Sequence, residues 1–479
     1  MTRHAGWWLV GGWVASTRAL MAALLALATG MVASFADVAH AEDSAASLRI
    51  ATFDADATPP VGLRMAYDNV IRPADLSLRS RGIAILGAGE PIVLVAIDWI
   101  GIGNGAHQAF REAVAEAAGT TPRRVAVQAL HQHDAPQADF TAERLLNELG
   151  ITTYDRFNGD FAREVIARTA AAVKEGVAKA VPLTHAGFGR GKVEQVASNR
   201  RLIGDDGKIR GWRASTTRDA ALRAEPEGVI DPFVATLVFW SDDTPVAVLT
   251  SYATHPMSYY RTGVPGPDFP GIARLLRTQD LPSALHVYFT GAGGNVAAGK
   301  YNDGSQANRV TFALRLAAGM RAGYDAAVAD RQAITADDIG WASEPVVLEA
   351  REELKRDQLA AAIKANADKG TMNDADALAY ITRVESGRPI DVTCLTVGDV
   401  RMLHLPGELF VEYQLAAQEM RPDLHVMMAA YGDYGPGYIG TAEAYAQGGY
   451  EVEVRSSSVG PQAEEALTAA MRTLLEVEE

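Results

Sequence analysis

The chain has 479 residues, 48% of them apolar and 22% charged, enough to build a sizeable core in one large or two ordinary domains. Its formal charge of -15 excludes the basic footprint that nucleic-acid binding needs, and it excludes adhesion to an anionic membrane by charge. A single cysteine, Cys394, excludes an internal disulfide.

Arg3 and Arg18 precede an apolar run from Ala19 to about Phe35, and Ala39-His40-Ala41 fits the small-x-small rule for signal peptidase. The reading is a signal peptide over residues 1–41, a mature chain over 42–479, and a secreted or periplasmic protein. The alternative for this segment is an uncleaved anchor, because Trp7 to Val14 adds a second apolar patch. Leu48 to Asp56 reads as a strand closed by the turn cluster Pro59-Pro60-Val61-Gly62. Gly82–Gly87 and Ile92–Asp98 read as a hairpin whose second strand is buried on both faces. Helical spacing follows from Gly105 to Ala118, and Thr121-Pro122 stops it. The Val-rich run Arg124–Gln128 is then a buried strand leading into His131-Gln132-His133-Asp134. If the chain stays extended there, His131 and His133 project to the same side.

Phe161 to Ala178 is an amphipathic helix, and Ser198 to Ala224 is a polar, Arg-rich surface excursion in which Asn199-Arg200-Arg201 is placed to line a site. Val246–Ala253 is a buried strand running into Thr254-His255-Pro256, and Leu285–Thr290 feeds Gly293-Gly294-Asn295. Helical periodicity returns over Asn308–Ala322 and Glu349–Lys369. Val392–Val397, which carries Cys394 as a buried structural residue, pairs with Val400–Leu405 as a hairpin ending in Pro406-Gly407-Glu408. A last strand, Val426–Tyr431, ends in a Gly/Tyr-rich loop from Gly432 to Tyr450. No internal repeat, low-complexity tract or splitting linker is legible. The expected fold is α/β: mixed β-sheets flanked by helices, the site at strand ends, in a single large catalytic domain.

The buried strands deliver His131, His133, His255, Asn295 and Glu408 at their ends, with Tyr438, Tyr445 and Tyr450 following. Zinc takes nitrogen and carboxylate ligands, and a catalytic site keeps one position open, so two histidines and a glutamate suffice for a metal site. The bland alternatives are a helix-capping Glu408, a rigid His255-Pro256 turn and ordinary packing tyrosines.

Ala129 to Pro136, Ala253 to Ser258, Leu405 to Glu408, and Glu443 to Glu451 followed by Gly460-Pro461 resemble, in order, motifs of the neutral/alkaline non-lysosomal ceramidase family: T-H-T-H-S-G-P, F-A-x-H-P-T-S, L-P-G-E and E-E-Y-x-x-x-x-Y-E. Ala55 to Pro59 resembles its A-D-I-T start. The resemblance covers most of the mature chain. It implies the N-terminal catalytic domain of an exported Zn2+ amidohydrolase, without the family's C-terminal β-sandwich. His131, His255, Glu408 and Tyr445 would hold the metal, and His133, Arg200 and Asn295 would form the catalytic set. Zinc polarises a carbonyl and lowers the pKa of water, Arg200 or a neutral histidine steadies an oxyanion, and Asp134 orients an imidazole. The implied partner is a small-molecule or lipid N-acyl substrate, a lipid bringing peripheral membrane contact with it.

One departure bears on mechanism. The family's G-D-V-S-P-N segment matches Gly294 to Gly299, placing Ala297 where the family has serine, so a serine nucleophile is excluded there and a metal-assisted attack by water remains. A metallo-β-lactamase-like hydrolase needs H-x-H-x-D-H, which Asp134-Ala135-Pro136 breaks. No G-x-S-x-G elbow supports a serine hydrolase. The reading from another class is an exported binding protein that holds a metal or ligand without chemistry.

Overall fold

The structure, a computed structural model, describes residues 47–151, 154–366 and 373–477. The signal peptide read over residues 1–41 lies outside the described residues. From Ser47 onward the chain is one compact unit of mixed α/β architecture, as expected. Among the described residues no helix is long and apolar enough to cross a membrane.

Three sheets organise the unit, and each contains the same succession of elements. In the first, Arg79–Leu86 pairs antiparallel with Ile92–Ile97, the helix Asn104–Ala118 follows, and Val125–Ala129 returns parallel to Ile92–Ile97. In the second, Phe233–Ser241 pairs with Thr244–Tyr252, the helix Asp268–Asp280 follows, and Leu285–Thr290 runs parallel to Thr244–Tyr252. In the third, Ile390–Val397 pairs with Val400–His404, the helix Val411–Met420 follows, and His425–Ala429 runs parallel to Val400–His404. The chain therefore carries a repeat of topology that its side chains do not display.

The returning strands meet at their carboxyl ends. Ala129 N donates to Tyr431 O at 3.0 Å, Ala430 N donates to Thr290 O at 2.9 Å, and Thr290 Oγ1 donates to Leu130 O at 2.8 Å. These bonds satisfy backbone groups that would otherwise end unpaired in the interior. Ile83, Leu94, Leu237, Leu249, Leu395 and Met402, two from each sheet, pool into one buried core. Burial of such side chains contributes roughly 1.5–3 kcal/mol each, which ties the three strand-end regions into one rigid frame. The long helix Ala307–Ala329 covers the second sheet at close range: a Cβ at Gly191 would fall 1.9 Å from Gly319 O and one at Gly189 2.2 Å from Gly323 O.

Two expectations are corrected, and a helix stands where none was read. The helix expected over 349–369 begins only at Arg356 and is described to Ala365, because the Ile339–Val346 strand and its exit occupy the residues before it. The helix Phe140–Glu148, capped by Asp139 accepting from Thr141 N, is an element not read from the sequence. The Arg-rich stretch after Ser198 is a surface excursion only in part: residues 205–208 and 218–221 are exposed, but Asn199, Arg200, Arg201 and Arg213 are buried, and Ser198-Asn199 pairs with Val296-Ala297.

Candidate metal centre and active site

His131 stands two residues past the Val125–Ala129 strand, and its φ of 67° takes the chain out of the extended form that the HxH spacing assumed. Left-handed backbone at a non-glycine residue costs free energy, and such residues gather at functional sites. The two rings nevertheless adjoin, with centroids 4.8 Å apart. His131 Nδ1 lies 2.8 Å from Ile100 O, His133 Nδ1 3.0 Å from His131 O, and His255 Nδ1 2.6 Å from Gly293 O. A carbonyl only accepts, so each Nδ1 carries the proton and each Nε2 of a neutral ring presents a lone pair. The three buried rings offer ligand nitrogens within 4.8 Å of one another and can hold a metal ion.

Glu408 completes the cluster. Pro406-Gly407 delivers it to the two-residue strand Glu408-Leu409, paired in parallel with Tyr438-Ile439, so Glu408 is no helix cap. Its Oε2 lies 3.2 Å from His131 Nε2 and 3.1 Å from His255 Nε2, yet neither approach forms an aligned hydrogen bond, and this buried oxygen has no hydrogen-bond partner. Burial alone would push its pKa up; a proton on Nε2 of His131 or His255 outweighs burial and holds the carboxyl well below the usual range, and in the tautomers above a metal ion would take that proton's place. Burial, then His131 and His255, hold His133 well below the ordinary histidine value, so it is neutral at pH 7. The donor set fits a cation: two imidazole lone pairs and an anionic oxygen converge with no proton aligned between them.

The cluster lines a cavity of about 800 Å³. Arg200 reaches it from the buried stretch after Asn199: Nη1 donates to the Tyr438 hydroxyl at 3.0 Å, and Nε lies 3.4 Å from Glu451 Oε1. Trp212 stacks under the guanidinium at 4.7 Å and donates Nε1 to Glu451 Oε1 at 2.7 Å. Burial opposes the charge on Arg200, but Tyr438 and Glu451 leave its pKa above the ordinary value. The Tyr438 hydroxyl also sits 3.3 Å from His255 Nε2.

Of the residues expected at the site, His131, His133, His255, Glu408 and Arg200 come together in this cavity. Tyr445 is directed elsewhere: its hydroxyl donates to Val459 O at 2.8 Å and meets Ser457 Oγ at 2.8 Å. The tyrosines of the cavity are Tyr67, Tyr260, Tyr434, Tyr438 and Tyr450, and Tyr438 takes the place expected of Tyr445, because strand pairing sets it beside Glu408. Asn295 serves the frame: Nδ2 donates to Glu412 at 2.8 Å, and Oδ1 accepts from Val411 N at 2.9 Å. Asp134 orients no imidazole; it accepts from Arg261 N and Thr262 Oγ1, fixing the turn that sets Tyr260 against Tyr67 and His133. Tyr434, Trp212 and Glu451 were not singled out as site residues. Only the position of Glu451 in the Tyr450-Glu451 motif signalled it.

No protein-family model and no curated protein sequence matches the chain. Among solved structures, the neutral ceramidase from Pseudomonas aeruginosa superposes with a TM-score of 0.64 at 15% identity, covering 90% of this chain and 74% of that one. A ceramidase complexed with C2 superposes with a TM-score of 0.62 at 16% identity, over the same shares. At these identities the likeness is one of fold.

Proposed function

We propose that the protein is an exported zinc-dependent hydrolase of an N-acyl amide or ester, ceramidase-like in fold and in the chemistry of its site. The observation that carries this reading is Glu408 Oε2, buried without a hydrogen-bond partner 3.2 and 3.1 Å from two Nε2 atoms whose rings donate from the other side. His131, His255 and Glu408 would hold the ion, with the Tyr438 hydroxyl as a fourth donor in reach. Zinc supplies Lewis acidity at such a site, polarising a carbonyl and making water nucleophilic near neutral pH.

The chain's own groups do the rest. His133, neutral and outside the pair that closes on Glu408, offers its Nε2 to a proton on the substrate side. Arg200, held by Trp212 and Glu451, aims donors at the cavity where negative charge grows on a carbonyl oxygen. Ala297 is buried, and its carbonyl accepts from Ser198 Oγ at 2.8 Å, so this position contributes backbone and no nucleophile.

A second reading of the substrate is favoured by a charged, half-buried part of the cavity lining. Arg156 Nη2 lies 2.5 Å from Asp376 Oδ2, and Gln137 Nε2 donates to Asp376 Oδ1 at 2.9 Å. A charged wall suits a small polar amide, lactone or ester better than a long alkyl chain, which leaves it neither solvated nor matched. The test is hydrolysis of long-chain N-acyl sphingosines, short N-acyl amides, lactones and simple esters, before and after chelation and zinc return. Turnover lost on chelation and restored by zinc supports the hydrolase, and the members turned over choose the substrate. Metal uptake with no turnover across the panel would leave a binding protein. Turnover indifferent to chelation would overturn the site.

A further inference from the structure

We infer that Tyr434 is the positioning residue that leaves Glu408 a single free oxygen to offer a metal, an inference that rests on the metal-site reading above. The Tyr434 hydroxyl donates to Glu408 Oε1 at 2.7 Å, while Oε2 faces His131 and His255 without a hydrogen-bond partner. A carboxylate with both oxygens free can ligate through either or both and can swing between them. Engaging Oε1 removes that choice and aims Oε2.

Tyr434 is itself held from three directions. Its ring lies over Gly101, where an added Cβ would fall 2.5 Å from the ring carbon Cγ, so only glycine leaves the slot open. Its backbone N donates to Ile102 O at 3.0 Å. The residue before it, Asp433, accepts from Asn104 N at 2.9 Å and Gly435 N at 3.0 Å through Oδ1, and its Oδ2 lies 2.5 Å from Arg383 Nη1. Both partners of that pair are buried, so the turn cannot shift without exposing or unpairing a charge. Arg383 belongs to the helix Asn373–Glu385, which also brings Asp376 to the cavity. One helix therefore shapes the cavity wall and anchors the turn that aims the carboxylate.

The experiment is calorimetric titration of Zn2+ into chelator-stripped protein, for the natural chain, Tyr434→Phe and Gly101→Ala. Tyr434→Phe keeps the ring and removes the hydrogen bond; Gly101→Ala keeps the hydroxyl and closes the slot. The natural chain is expected to bind one ion, and both variants one ion with roughly 10- to 100-fold weaker affinity, the range for loss of an outer partner of a metal ligand. An unchanged thermal midpoint of the metal-free Tyr434→Phe protein would separate this loss from unfolding. One ion bound by the natural chain with less than about a tenfold loss in Tyr434→Phe overturns the inference. Full affinity in Gly101→Ala alone overturns the role of the slot. A natural chain that binds no ion overturns the metal-site reading itself.

Discussion

Two buried polar clusters stand side by side at the ends of adjacent parallel strands, and they are built on opposite rules. Asp98 follows Ile92–Ile97, and its two oxygens meet the two terminal nitrogens of Arg274 at 2.9 and 2.5 Å while Oδ2 also accepts Arg79 N at 2.9 Å. His131 follows the neighbouring Val125–Ala129 strand and joins His255 and Glu408 in a set of acceptors with no donor aligned on Glu408 Oε2. Both are dry. A buried carboxylate with every oxygen matched is a structural joint, whereas one aimed at lone pairs is a site that awaits a cation.

Substitutions at the two carboxylates break the comparison most sharply. Asp98→Asn strands the buried Arg274 guanidinium and is expected to cost roughly 3–5 kcal/mol of stability in urea unfolding, with metal affinity of the folded fraction retained. Glu408→Gln is expected to do the reverse, holding or raising the stability of the metal-free protein while weakening zinc by more than the roughly 100-fold that an outer partner commands. A destabilised Glu408→Gln protein with intact metal binding would show the two clusters to be alike.

The tyrosines sharpen the same contrast. Tyr438→Phe, which removes a hydroxyl facing Arg200 and His255 and the fourth donor proposed for the metal, is expected to weaken zinc binding and to lower kcat/KM by at least roughly 10- to 100-fold. Tyr445→Phe removes bonds to Ser457 and Val459 and is expected to cost about 1 kcal/mol in stability with kcat/KM unchanged. Equal kinetic effects would return Tyr445 to the site.

A further contrast separates a merely unpaired group from a converging set. His404 Nε2 is buried without a partner beside a small cavity, and burial lowers its pKa to about 3. The unfolded chain then binds a proton that the folded protein refuses between about pH 3 and the ordinary histidine value near 6.5. Stability is full above that window and falls as pH drops through it, by roughly 1.4 kcal/mol per pH unit for this one group. His404→Gln is expected to flatten the acid slope of the urea midpoint and leave zinc affinity alone.

Much of this was legible in the chain. Ile92–Ile97, Val125–Ala129, Thr244–Tyr252 and Val400–His404 announce themselves as apolar runs, and the residues that follow them carried the chemistry to His131, His255 and Glu408. What was not legible is non-local. Tyr438 joins the site through pairing with Glu408, thirty residues distant, whereas Tyr445 matched a motif better. Arg200 reads as a residue placed to line a site, but its partners Glu451 and Trp212 become legible only when they are folded around it. The threefold recurrence of hairpin, helix and parallel strand lives in hydrogen bonding, not in side chains, so no scan for repeats detects it.

The most direct test of the central claim is anomalous diffraction at the zinc edge from crystals grown with zinc. The account predicts one strong peak about 2 Å from His131 Nε2, His255 Nε2 and Glu408 Oε2. A peak held by Tyr445, or none within reach of Glu408, would contradict it.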